Sequence, residues 1–148
     1  MSNNRIDRYV PVVIEYAARI VLFHTAAAQR LGLHPTDLKC LRLLGHKTMT
    51  AGELAQHTGL TGAAGTALVD RLEAAGYVIR QRESEDRRRV TVRAVPRKVR
   101  EINELYRSQQ ERMSKLLAGY NAAEFEAIMD FLEKTTEILE VGAKELMR

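Results

Sequence analysis

Residues 50–78 read TAGELAQHTGLTGAAGTALVDRLEAAGYV, and this stretch decides the fold. Thr50 and Glu53 have the spacing of a capping box, in which hydroxyl and carboxylate each satisfy a backbone N–H that the first helical turn leaves unpaired. A helix is therefore expected from Thr50, ending at Gly59 in the left-handed conformation that a residue without Cβ adopts readily. The next helix follows almost at once. Thr61 is its N-cap, Leu68, Val69 and Leu72 supply its apolar face, and Gly76 ends it. Beyond Gly76 the period changes. Tyr77-Val78-Ile79 and Val90-Thr91-Val92 are β-prone runs, separated by the polar segment Arg82 to Arg89. That is a hairpin with a solvent-exposed tip.

Upstream, Pro35 suits the first position of a helix carrying Leu38, Leu41 and Leu44 on one face, with His34 as its cap and Gly45 weakening its end. Arg5 to Arg30 reads as a longer helix, with Val13, Ala17, Ile20, His24 and Ala27 at three- and four-residue steps, Pro11 near its start and Gly32 closing it. Downstream, Pro96 opens a long helix with Val99, Ile102, Leu105, Tyr106, Met113, Leu116 and Leu117 on its apolar side. Gly119 breaks it. Asn121 and Glu124 form a second capping box, and the last helix carries Phe125, Ile128, Met129, Leu132, Thr136 and Leu139. The expected fold is mainly α with a small β-hairpin (α+β), one structural domain per chain. Residues 35–95 form its central lobe, with the segments 1–34 and 96–148 as flanking helices. Long amphipathic helices at both ends cannot bury their stripes on so small a lobe, and pairing with a second copy is the expected solution.

Composition narrows the function. The 148 residues are 45% hydrophobic and 28% charged, the balance of a globular domain. No uninterrupted apolar run reaches the ~18 residues of a membrane span. Asp7 and Glu15 interrupt the basic leader that Arg5 and Arg8 would begin, so a cytoplasmic protein without a membrane partner is expected. Cys40 is the one cysteine, which excludes an intramolecular disulfide and a multi-cysteine zinc site. Its place between Leu38 and Leu41 fits an inert core thiol better than a redox sensor. The histidines, His24, His34, His46 and His57, include no pair at metal-binding helical spacing, and Ser84 and Ser108 have no evident base partner. No enzyme, metal or cofactor is expected. The net charge of +4 is unevenly spread: +2 up to Gly76, +6 from Tyr77 to Arg100 and −4 from Glu101 onward. A one-sided basic cluster of this kind marks a nucleic-acid or anionic-surface contact.

Three stretches together resemble the MarR family of winged helix-turn-helix transcription regulators. They are Thr50-Ala51-Gly52-Glu53-Leu54-Ala55 with Thr58-Gly59-Leu60, then Thr66-Ala67-Leu68-Val69-Asp70-Arg71-Leu72-Glu73-Ala74-Ala75-Gly76-Tyr77-Val78, then Asp86-Arg87-Arg88-Arg89-Val90-Thr91-Val92. The resemblance covers Pro35 to Val95 closely, and the flanking helices by length and amphipathicity. It implies a homodimeric DNA-binding regulator, a recognition helix at about 61–75 and a wing at about 77–93. It also implies an inverted-repeat operator, repression more often than activation, and release by a small aromatic or anionic effector. It implies an effector pocket between the flanking helices and the central lobe, without naming its residues. Tyr16, Arg19 and His24 on the first helix could supply polar contacts, yet at helical spacing they are more often surface or core groups.

In such a protein the second helix of the motif enters the major groove. Thr61, Gly62, Ala63, Gly65 and Thr66 are then the residues nearest DNA, a set without Arg, Lys, Asn or Gln. Gly65 fits either close backbone approach to DNA or close packing on the preceding helix. Ala67 departs from the arginine or other polar residue that many family members carry there. Arg71 is expected at the domain surface or against a phosphate. On the wing, the Asp86-Arg87-Arg88 motif implies that Arg87 braces the hairpin, with Asp70 as its partner, and that Arg88 enters the minor groove, with Arg89 against a phosphate. Two other readings stay open: an architectural DNA-binding protein without strong sequence preference, and a ligand- or protein-binding module that has lost operator binding.

Overall fold

Local signals set most element boundaries. The computed structural model describes residues 4–83 and 88–147. In chain order the elements are α1 (Asn4–Leu31), α2 (Pro35–Leu44), α3 (Ala51–Thr58), α4 (Gly62–Ala74), β1 (Val78–Arg82), β2 (Val90–Ala94), α5 (Pro96–Leu117) and α6 (Ala122–Leu146). His34 Nδ1 accepts the Thr36 amide at 3.2 Å and caps α2. Both capping boxes form, Thr50 with Glu53 and Asn121 with Glu124. Gly59 at φ +72° and Gly76 at φ +74° turn the chain after α3 and α4 through the left-handed region. α1 extends one residue to either side of its expected bounds, with Pro11 inside it.

The core lies among α2, α3, α4 and the hairpin. Leu38, Cys40, Leu41, Leu54, Val69, Leu72, Val78 and Val92 are almost completely buried. Each large aliphatic group contributes roughly 1.5–3 kcal/mol on burial. β1 and β2 pair antiparallel, from Val78 opposite Ala94 to Arg82 opposite Val90. One pairing was not expected: the Met49 amide donates to the Val92 carbonyl at 3.2 Å, and the Val92 amide to the Met49 carbonyl at 2.6 Å. The hairpin is thereby tied to the segment just before α3, whose isolated Met49 carries no strand pattern.

The chain divides into two compact units, Met1–Leu105 and Tyr106–Arg148. In the first, α1 is packed chiefly at its C-terminal end, where Ala27 and Ala28 are buried. In the second, α6 buries none of its residues. Among the described residues, of the large hydrophobic side chains left exposed only Ile79 and Val90 belong to residues 35–95. The rest lie along α1, α5, α6 and their flanks, including Ile6, Val12, Ile14, Val21, Leu22, Ile138 and Leu139. By length and composition α1 is apolar enough to cross a membrane, although Glu15 and Arg19 lie within it and pair with each other at 2.6 Å.

Candidate nucleic-acid interface

The exposed side of α4 follows from its buried side. Gly65, Leu68, Val69 and Leu72 face the core, which leaves Gly62, Ala63, Thr66, Ala67 and Asp70 on the opposite surface. Thr61 caps the helix, its Oγ1 accepting the Ala64 amide at 3.2 Å. The Thr66 hydroxyl donates to the Gly62 carbonyl at 3.1 Å. Gly65 is buried against α3. A Cβ there would stand 2.7 Å from Ala55 Cβ and 3.1 Å from the Ala51 carbonyl oxygen. Of the two accounts open from sequence, close contact with α3 is the one observed. Gly62 has open space around it.

The C-terminal part of the same surface is acidic but compensated. Arg80, on β1, places one guanidinium nitrogen 2.5 Å from Asp70 Oδ1 and the other against Glu73 Oε2. Its amide also donates to Glu73 Oε1 at 3.2 Å. Asp70 and then Glu73 hold the Arg80 pKa above its ordinary range. Asp70 therefore has Arg80 as a partner, a pairing the sequence reading missed. The partner it had named, Arg87, lies with Asp86 outside the described residues.

Arg71 leaves this surface. It grips Asp37 on α2 through Nη2 at 2.6 Å and Nε at 3.3 Å, and the Asp37 carboxylate is buried. The hydrogen bonds that Arg71 donates to Asp37 raise its pKa further. This fork-shaped contact ties α4 to α2 rather than presenting Arg71 as a lone cation. Arg89 is likewise engaged: Nη2 meets Glu53 Oε1 at 2.9 Å, and Nε stands 3.4 Å from Glu83 Oε1. Glu53 thus serves two ends, capping α3 and anchoring the wing base. The Thr50 amide is the main reason its pKa falls below the ordinary carboxylate range. Arg88 is exposed in the turn before β2.

Cys40 is fully buried, and burial pushes its thiol up to about 11 from an ordinary 9.0. The folded state therefore holds the proton more tightly than the unfolded state. That contribution is complete below about pH 9 and is lost as pH rises toward about 11. Denaturation series across this range should show stability falling in the native protein and a flatter profile in Cys40→Ala. At neutral pH the thiol should resist alkylation unless the protein unfolds.

A short-turn helix pair whose second helix is outward-facing, followed by a hairpin held to that helix, defines a winged helix-turn-helix of the DNA-binding type. A sequence profile of the MarR family matches residues 31–89. The uncharacterized HTH-type transcriptional regulator YcgE of Bacillus subtilis (strain 168) is 47% identical over 129 residues, 86% of this chain and 84% of that protein. Among solved structures, a MarR family protein from Bacillus stearothermophilus superposes with a TM-score of 0.67 at 23% identity, covering 94% of this chain and 99% of the other. Wild-type MarR from E. coli in its apo form superposes at 0.60 and 19% identity, covering 86% and 95%. A third neighbour is Bordetella bronchiseptica BpsR, from work on regulation of its DNA binding by 6-hydroxynicotinic acid. It superposes at 0.57 and 18% identity, covering 92% and 98%. The chain belongs to the MarR family and is a winged helix-turn-helix transcriptional regulator.

Proposed function

We propose that this regulator acts as a homodimer in the cytoplasm. It lays α4 of each copy in the major groove and the wing in the adjacent minor groove of an inverted-repeat operator, most simply as a repressor. The observation that carries this reading is the division of the surface. Residues 35–95 hold the helix-turn-helix and the basic hairpin, while nearly all exposed large hydrophobics lie on the flanking helices. Apolar stripes of that extent are covered in a stable protein, and a second copy offers the matching surface. Arg88 is the wing residue assigned to the minor groove, and Thr61, Gly62, Ala63 and Thr66 the residues nearest the major groove. Asp86 and Arg87 complete the wing motif, with bracing as their role. Arg71 and Arg89, held by carboxylates, are assigned to support of the motif rather than to direct phosphate contact.

The test is a footprint of the purified protein with excess competitor DNA. Protection of two half-sites about one helical turn apart is expected. Uniform coverage without preference would favour an architectural protein, and no protection would favour a binding module without an operator. Light scattering at micromolar concentration should give the mass of two chains, and a monomer would overturn the dimer. Arg88→Ala should weaken binding and lower the dependence of affinity on salt by about one phosphate contact.

An effector is proposed by analogy with the Bordetella bronchiseptica neighbour. Release of the footprinted duplex by aromatic acids would support it.

A further inference from the structure

The helix-turn-helix says where DNA is met, and the hydrogen-bond inventory of α4 says what it can read. Guanine is read by Arg or Lys, adenine by Asn or Gln, and cytosine N4 by a carboxylate. Apart from Arg71, which is exposed but held by Asp37, the exposed side of α4 carries none of the first four residue types. Its carboxylates, Asp70 and Glu73, are both bound by Arg80. The Thr66 proton is committed to the Gly62 carbonyl, and a lone pair of Thr61 Oγ1 to the Ala64 amide. Beyond the Thr61 proton and the Thr66 oxygen lone pairs, what this exposed side offers a base is methyl groups, on Ala63, Thr66 and Ala67, beside Gly62, which adds no bulk. The one base feature in the major groove that is apolar is the C5 methyl of thymine.

We propose that α4 selects its half-site through thymine methyl groups met by Ala63, the Thr66 γ-methyl and Ala67. This rests on the reading of α4 as the major-groove helix. The small side chains let the helix axis approach the groove floor, so that methyl meets methyl in a desolvated contact.

The test uses the intact protein and a pool of randomised duplexes. The preferred duplex is selected, then resynthesised with deoxyuridine in place of thymidine. Uracil keeps the O4 acceptor and the pairing edge and lacks only the methyl. Affinity should fall about fourfold per contacted methyl, roughly 15-fold when one such thymine is replaced in each half-site. Thr66→Ser keeps the hydroxyl and drops the γ-methyl. It should bind the thymidine duplex about fourfold more weakly per half-site and lose less than the native protein on going to uracil. Equal affinity for the two duplexes, or a preferred duplex without thymine under α4, overturns the methyl readout while leaving DNA binding intact. Failure to select any duplex overturns both.

Discussion

Gly65→Ala is expected to destabilise the folded protein by about 1–2 kcal/mol, whereas Gly62→Ala three residues earlier should leave it unchanged or slightly stabilised. In the interior of a helix, alanine is favoured over glycine by ~1 kcal/mol. At Gly65 that gain meets a larger opposing term. The added Cβ would lie 2.7 Å from Ala55 Cβ and 3.1 Å from the Ala51 carbonyl oxygen, neither of which is the end of a flexible side chain. Overpacking of this kind costs typically 1–3 kcal/mol. Gly62 has nothing within 4 Å, so no such term arises. Urea denaturation of the two variants checks the opposite signs. Ala55→Gly combined with Gly65→Ala should be less unstable than the two single effects added, because the worst contact is then gone. DNA affinity of the folded fraction should be nearly unaffected by Gly65→Ala, since the residue is buried. A Gly65→Ala protein as stable as the native one would remove the packing account.

The second large effect is on binding. Arg80→Ala should lower operator affinity by about 2 kcal/mol, roughly 30-fold, with a stability loss below about 1 kcal/mol. The ion pairs it breaks are substantially exposed, so their loss costs the fold little. DNA is a different matter. Without Arg80, Asp70 and Glu73 stand uncompensated on the side of α4 proposed to face the duplex, and like charges in a contact surface repel strongly. The repulsion is screened by salt, so the gap between variant and native protein should narrow as ionic strength rises. Adding Asp70→Asn and Glu73→Gln to Arg80→Ala should recover much of the affinity. An Arg80→Ala protein that binds as the native protein does would show that these carboxylates lie away from DNA.

Much of the fold was legible because its signals are local. A capping box spans three residues, and both boxes could be read from Thr50-Glu53 and Asn121-Glu124 alone. The same holds for the His34 cap, for the left-handed glycines Gly59 and Gly76, and for the apolar steps that put Leu38, Leu41, Leu68, Val69 and Leu72 in the core. The site was only partly legible. Arg89 was expected at a phosphate, and Arg71 at the surface or a phosphate. Arg71 is exposed, as one of its two expectations had it, and both arginines are held by carboxylates 36 and 34 residues away in the chain that the sequence did not point to. Long, flexible cations can reach many partners, and no spacing rule selects among them.

By itself, the sequence determined the order of helices and hairpin, their ends, the apolar faces and membership of the motif, since each depends on neighbours within one or two turns. Tertiary structure alone decided that Met49 joins the wing, that Gly65 is a contact point with α3, and which carboxylate each of Arg71, Arg80 and Arg89 engages. Those outcomes depend on distances between elements far apart in the chain, set only once the core has closed. The residue pattern of 50–78 announces the second helix of a helix-turn-helix, and the folded arrangement pairs its acids with Arg80 and engages each of its threonine hydroxyls in one hydrogen bond within the helix.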